Sequence, residues 1–157
     1  MWRVSEDENA TSGSSVQTFE TFIAEAVWLK YSVSQFSGVN LNKLPIDHHE
    51  LLGMVAPRGL LILENSGIDW LAPTGCATSA TAARYVFEGL GVRDNIGFSE
   101  SDHPHCLFQS ADGPYLMAFL RKFLLNQVST DTKAWNIPST VNVDEPRWID
   151  WTVPTLN

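Results

Sequence analysis

Four histidines, two cysteines and eighteen acidic residues are the groups of this sequence with chemistry to offer. Several crowd one stretch, Asp102-His103-Pro104-His105-Cys106. Pro104 removes a backbone donor and restricts His103, so the stretch is read as a loop. An imidazole held in a loop can serve as a general base, and His105 and His103 both compete for that role. His48 and His49 follow Asp47 at the expected start of a helix, where structural duties are the simpler reading. His-Pro-His-Cys has a metal-like look, but no partners lie at ligand spacing, so no metal is expected. No Gly-x-Ser-x-Gly and no glycine-rich phosphate loop occur, which leaves a nucleophile absent from the motif record and a cofactor unexpected. Trp70 ends the loop Ser66-Gly67-Ile68-Asp69-Trp70, where its ring could stack on a sugar or simply cover the loop. Gln17 and Glu25 are eight residues apart, about two helical turns, and could share a helix face or be plain solvated surface.

The elements that must position these groups can be read from periodicity. Residues 3–17 are polar and serine-rich and read as a loop. Phe19, Phe22, Ile23, Ala26 and Val27 then recur at helical spacing, which predicts an amphipathic helix. Residues 32–45 lose the period and read as a loop. Asp47 and Glu50 form the pattern of a capping box, opening a short helix that Pro57 stops. Gly59 to Asn65 is a continuous apolar run of the kind found in a strand covered on both faces. Residues 66–76 read as a loop, Ala77 to Gly89 as a helix, and Asn95 to Ser99 as a short strand. From about Asp112, Leu116, Phe119, Leu120, Phe123 and Leu124 predict a helix with Arg121 and Lys122 outward. Residues 1–126 then form one α/β domain, and residues 127–157 an extended C-terminal tail packed on it.

Strand, loop, helix, strand, loop, helix is the order of an α/β sheet. Two strands cannot complete one, so the chain reads as part of a larger domain with an incomplete sheet. Ligands in such sheets bind beyond the carboxyl ends of the strands, the edge at which Trp70 stands. His105 follows the last strand read and precedes the last strong helix, which is the place of the catalytic base in the α/β-hydrolase architecture. Glu64 and Asp69, on the loop after the preceding strand, are the candidate acids that would orient it.

Composition bounds the partners. Of the 157 residues 44% are hydrophobic and 18% charged, with a net charge of −8, which fits a globular domain and argues against nucleic acid or an anionic membrane surface. No apolar run reaches the length of a membrane span. The start of the chain lacks the basic and apolar regions of a signal peptide. Asn9-Ala10-Thr11 is a glycosylation sequon, relevant to a secreted protein. Two cysteines alone do not reveal the compartment.

Longer motifs carry a resemblance. Trp2-Arg3, Ser15-Val16-Gln17-Thr18, Leu44-Pro45-Ile46-Asp47-His48-His49, Ala56-Pro57-Arg58-Gly59-Leu60, Glu64-Asn65, Asp69-Trp70-Leu71, the segment Ser101 through Phe108 and the tail Trp148 through Leu156 closely resemble the fungal glucuronoyl esterases, carbohydrate esterase family fifteen. The likeness runs in order over nearly the whole chain. It implies the C-terminal portion of an α/β-hydrolase, a three-layer αβα sandwich, of the serine esterase type. The implied substrate is the ester between 4-O-methyl-D-glucuronic acid of glucuronoxylan and a lignin alcohol, cleaved outside the cell without metal or cofactor. His105 matches the catalytic histidine, and Gln17, Glu25 and Trp70 match residues that contact the uronate.

The resemblance also marks departures. The family's serine lies in a Gly-Cys-Ser-Arg-x-Gly-Lys elbow upstream of the matched region, together with a lysine and the usual acid glutamate. None of these is present here. Met1 stands where the family has a cysteine that would bond Cys76, and Cys106 would bond a cysteine beside the nucleophile. The expectation is therefore an esterase by family that is inert as this chain, from a truncated gene model or a degenerate copy. The alternative is a non-catalytic carbohydrate-binding remnant.

Overall fold

The computed structural model describes residues 1–156 except Ser14 and Ala26. Helix α1 spans Trp2–Ser12, α2 Phe19–Ala24, α3 His48–Gly53, α4 Pro73–Gly89, α5 Gly113–Phe119 and α6 Glu145–Trp148; strands β1, β2 and β3 span Leu60–Asn65, Ile96–Ser101 and Trp135–Asn136. The three strands form one parallel sheet in the order β1-β2-β3. Helix α4 makes the crossover from β1 to β2. It stops at Gly89 and is followed by Gly91 at φ 72, a conformation glycine adopts without strain.

Helix α4 covers one face of the sheet through small residues. Ala77 and Ala80 pack on Phe98 of β2, while Ala83 and Phe87 close over Ile96. The alanine stripe lets helix and sheet approach closely, and Phe98, Phe87 and Ile96 are at most 1% exposed. Helix α5 covers the opposite face. A Cβ built on Gly97 would meet the Phe119 ring at 2.9 Å, and one on Gly59 would meet Phe123 of the π-helical turn Leu120–Leu124 that continues α5. The result is a helix–sheet–helix sandwich, the α/β class expected. Strand β1 has no further strand on its outer edge among the described residues, so the sheet is incomplete, as the resemblance implied.

Several local expectations are corrected. Residues 3–17 are not all loop, because α1 occupies most of them. Its sequence is polar, but Trp2 and Val4 are buried, and Trp2 packs against the α2 region 5.4 Å from Phe19 and 5.1 Å from Phe22. Tertiary packing overrides a weak local signal here. The amphipathic helix expected from Phe19 onward is shorter: Thr18 and Thr21 form its capping box and it ends after Ala24. Val27 is 76% exposed and lies outside it, and Ala26 falls outside the described residues. The stretch 32–45 contains two 3₁₀ turns, Tyr31–Phe36 and Gly38–Lys43. Helix α4 starts at Pro73 rather than Ala77, since proline fits the first helical position. Strand β1 has α4 on one face and α5 on the other, as expected, and is half-buried along most of its length because it lies at the edge of the sheet.

The capping box at Asp47 forms as expected. Asp47 accepts from His48 N at 2.7 Å, and Glu50 Oε2 accepts from Asp47 N at 2.6 Å. The Asp47 carboxylate also takes the Met1 amine at 3.0 Å and Arg3 Nη1 at 2.9 Å, tying α1 to α3. The C-terminal segment is more structured than an extended tail. It supplies β3, which pairs with β2 at Phe98–Trp135 and Ser99–Asn136, and then α6. Val141 and Ile149 are buried, Tyr85 Oη donates to Glu145 at 2.6 Å, and Trp151 stacks on His49 at 5.5 Å.

Candidate active site

Strands β1 and β2 run in parallel register from Leu60–Ile96 to Asn65–Ser101, so both release the chain at one edge of the sheet. After β1 comes the loop with Asp69 and Trp70, and after β2 the loop with His103, His105 and Cys106. Asn65 at the end of β1 joins the two. Its Nδ2 donates to the His103 carbonyl at 2.5 Å and lies 3.1 Å from His103 Nδ1, while its Oδ1 accepts from Gly67 N at 2.8 Å. A Cβ on Gly67 would meet the Asp102 side chain, so the absence of a side chain at Gly67 leaves Asp102 its place between the two loops. Between them lies a cleft of about 330 Å³ lined by Leu63, Glu64, Asn65, Leu71, His103, His105, Cys106, Leu107, Phe108, Gln109 and Asp112.

His105 is exposed and rests against Trp70, with ring centroids 5.3 Å apart and planes tilted by 36°. Its Nδ1 is 3.1 Å from Cys106 Sγ, and its Nε2 is 4.0 Å from the same sulfur. Cys106 holds φ at 61°, an uncommon value for a residue with a side chain, and it turns the loop at this point. Cys76 and Cys106 are both free thiols. Burial pushes the Cys76 thiol well above its usual range, and its Sγ donates to the Leu71 carbonyl at 3.5 Å.

The structure brings Gln17 and Glu25 to the same edge. Gln17 N donates to the Trp70 carbonyl at 3.2 Å, and Gln17 Nε2 donates to Glu25 Oε1 at 3.0 Å. They do not share a helix face, because Gln17 precedes α2 and Glu25 is the residue that closes it. Contacts therefore run from Glu25 through Gln17 and Trp70 to His105, across four separate segments of chain. Trp28 extends this run, its Nε1 donating to Glu25 Oε2 at 2.9 Å. Sequence reasoning did not select Trp28. Its position three residues after Glu25 was the available signal, and that signal was submerged in an apolar run.

No hydrogen bond or ion pair joins His105 to Glu64 or Asp69 among the described residues. Glu64 lines the cleft without bonding His105, and it stands beside Glu100, its register partner on β2. Burial raises the Glu64 carboxyl above its ordinary value. Burial, and then the charge of Glu64, push Glu100 up to about 8. His48 contacts Asp47 and the edge of Trp2, a packing role. Asn9 is exposed on α1. No group of three or more metal-ligating side chains gathers among the described residues.

A family model described as fungal glucuronyl esterase matches residues 1–91. The chain is 42% identical to the 4-O-methyl-glucuronoyl methylesterase of Hypocrea jecorina, over 99% of this chain and 33% of that protein. It is also 42% identical to the 4-O-methyl-glucuronoyl methylesterase of Schizophyllum commune, over 99% of this chain and 40% of that protein. Among solved structures it superposes on the glucuronoyl esterase catalytic domain from Hypocrea jecorina with a TM-score of 0.90 at 39% identity, covering 99% of this chain and 42% of that one. A glucuronoyl esterase from Sporotrichum thermophile, a serine-to-alanine mutant in complex with methyl 4-O-methyl-beta-D-glucopyranuronate, gives a TM-score of 0.89 at 34% identity, covering 99% of this chain and 42% of that one. The chain spans 33–40% of the length of the two curated relatives. By the family match, the identities and the shared α/β-hydrolase architecture, this chain belongs to the fungal glucuronoyl esterases.

Proposed function

We propose that this chain carries the base and the sugar-binding wall of a serine-type glucuronoyl esterase. The substrate class is the ester between 4-O-methyl-D-glucuronic acid of glucuronoxylan and a lignin alcohol, met outside the cell. The observation that carries the reading is the continuous run of contacts Glu25–Gln17–Trp70–His105 at one sheet edge. A uronate presents hydroxyls, an apolar ring face and an ester carbonyl. Glu25 and Gln17 suit the hydroxyls, Trp70 suits the ring face, and His105 lies beside Trp70 where the carbonyl would follow.

In this reading His105 acts as the general base that takes a proton from an attacking serine hydroxyl, then returns it to the leaving alcohol. Its Nδ1 lies on the Cys106 side of the ring, leaving Nε2 for the substrate. Trp70 limits the tilt of the imidazole and shields one side from water. Neither Glu64 nor Asp69 reaches His105, so neither is assigned as the orienting acid. No serine stands in a Gly-x-Ser-x-Gly turn in these 157 residues, which supports a nucleophile absent from the chain. Loss of the nucleophile lowers turnover by about a million-fold in serine hydrolases. The purified chain should therefore hydrolyse the methyl ester of 4-O-methyl-glucuronate no faster than its His105→Ala variant. Turnover that depends on His105 would show that a nucleophile is present after all.

A further inference from the structure

The Glu25 carboxylate is held from both sides. Gln17 Nε2 donates to Oε1 at 3.0 Å and Trp28 Nε1 donates to Oε2 at 2.9 Å. One donor on each oxygen fixes the carboxylate plane and leaves each oxygen a lone pair for a ligand hydroxyl. Trp28 is nevertheless 66% exposed, although tryptophan has more apolar surface to hide than any other residue type. Its one polar group is committed to Glu25, so the surface it offers to solvent is the apolar ring. The neighbouring Tyr31 is 90% exposed.

The order of contacts says which part of a ligand reaches Trp28. The run from the base is His105, Trp70, Gln17, Glu25, Trp28, so Trp28 stands at the end farthest along from the base. A uronate with its ester at His105 would direct its sugar substituents, not its alcohol, toward Glu25 and beyond. An aromatic plane beside a fixed carboxylate matches a pyranose, which has an apolar C–H face and a rim of hydroxyl donors. Net charge is −8 and the nearest fixed charge is the Glu25 carboxylate, which disfavours a second acidic sugar.

We propose that Trp28 positions Glu25 through its indole N–H and offers its exposed ring as a second subsite, for the neutral pyranose that bears the uronate. This inference rests on the sugar site proposed above. The subsite makes the length of the attached saccharide, and not the ester alcohol, the quantity that Trp28 senses.

The test is calorimetric titration of the full chain with three probes: methyl 4-O-methyl-glucuronate, its benzyl ester, and the methyl ester of the same uronate attached to xylobiose. The unmodified chain should bind the oligosaccharide about tenfold tighter than the monosaccharide, the scale of one good aromatic stacking contact. Trp28→Ala should bring that ratio close to one and weaken the monosaccharide about threefold, because Glu25 loses a donor. Trp28→Phe should keep most of the ratio and share the monosaccharide loss, which separates stacking from positioning. Circular dichroism should show all three proteins equally folded, as expected for an exposed side chain. Equal binding of the mono- and oligosaccharide by the unmodified chain, or an unchanged ratio in Trp28→Ala, would overturn the inference alone. A Trp28→Ala effect confined to the benzyl ester would overturn it in favour of an alcohol subsite. Absence of binding for every probe would overturn the sugar-site reading and this inference with it.

Discussion

Replacement of Glu100 by glutamine isolates the largest electrostatic strain in the sheet. Glu100 is 1% exposed, lies in register with Glu64 on the adjacent strand, and neither of its carboxyl oxygens has a hydrogen-bond partner among the described residues. Burial and the charge of Glu64 push its pKa from 4.5 up to about 8, so at neutral pH it is held as the neutral acid. The unfolded chain releases this proton near 4.5 while the folded chain retains it until about 8. Between those values the folded state binds more protons, so stability falls as pH rises and levels off above the folded pKa. At roughly 1.4 kcal/mol per unit, the loss is a few kcal/mol and at most about 5 kcal/mol. Glutamine keeps the shape and removes the titration. Urea denaturation followed by circular dichroism should find the two proteins within about 1 kcal/mol at pH 5 and the variant more stable by a few kcal/mol at pH 9. Parallel pH profiles for the two proteins would refute the reasoning, because they would mean that Glu100 titrates alike folded and unfolded.

Asp47→Ala should lower stability by about 2–4 kcal/mol, since it removes a helix cap and leaves Arg3 without its carboxylate. Although burial raises the Asp47 carboxyl, its bonds to His48 and the Met1 amine outweigh that and hold it well below the usual range. Its contribution is thus complete above the unfolded value of 3.8 and is lost as pH falls below it, which acid unfolding of the unmodified chain and the variant would reveal as converging curves. Trp70→Ala should cost about 1 kcal/mol or less in thermal unfolding, because the ring is 47% exposed, yet weaken uronate binding about tenfold. Secretion from a fungal host should yield a chain that loses mass on enzymatic deglycosylation, and Asn9→Gln should abolish that loss.

The sheet and its two covering helices were legible because their residues obey one period each. Leu60 to Leu63 form an unbroken apolar run, and the alanines of α4 leave no other element type. The two loops after β1 and β2 followed from chain order, which is why His105 and Trp70 could be assigned to one edge before any coordinates. Helix α1 was not legible, since its polar surface hides the two positions, Trp2 and Val4, that hold it down. Strand β3 was missed for a different reason: two residues paired to β2 carry no periodic signal of their own. At the site, Glu64 lines the cleft beside Glu100 and makes no bond to His105. Alternation along a strand turns on a single residue of register, and sequence reading does not resolve it. The spacing of Gln17 and Glu25 left open a shared helix face or plain solvated surface. Their link forms around a helix too short to hold both, through side chains that reach across its ends.

Whether one edge of this sheet is a uronate site with its base in place is decided by nitrogen-15 and carbon-13 NMR during titration with methyl 4-O-methyl-beta-D-glucopyranuronate. Saturable shifts of the Gln17 side-chain amide, the Trp70 indole N–H and the His105 ring are expected, and in a Glu25→Gln, Trp70→Ala double variant that remains folded the Gln17 and His105 shifts should be abolished together. Shifts confined to another face of the molecule, or no saturable shift at these three groups, would contradict a uronate site at this edge.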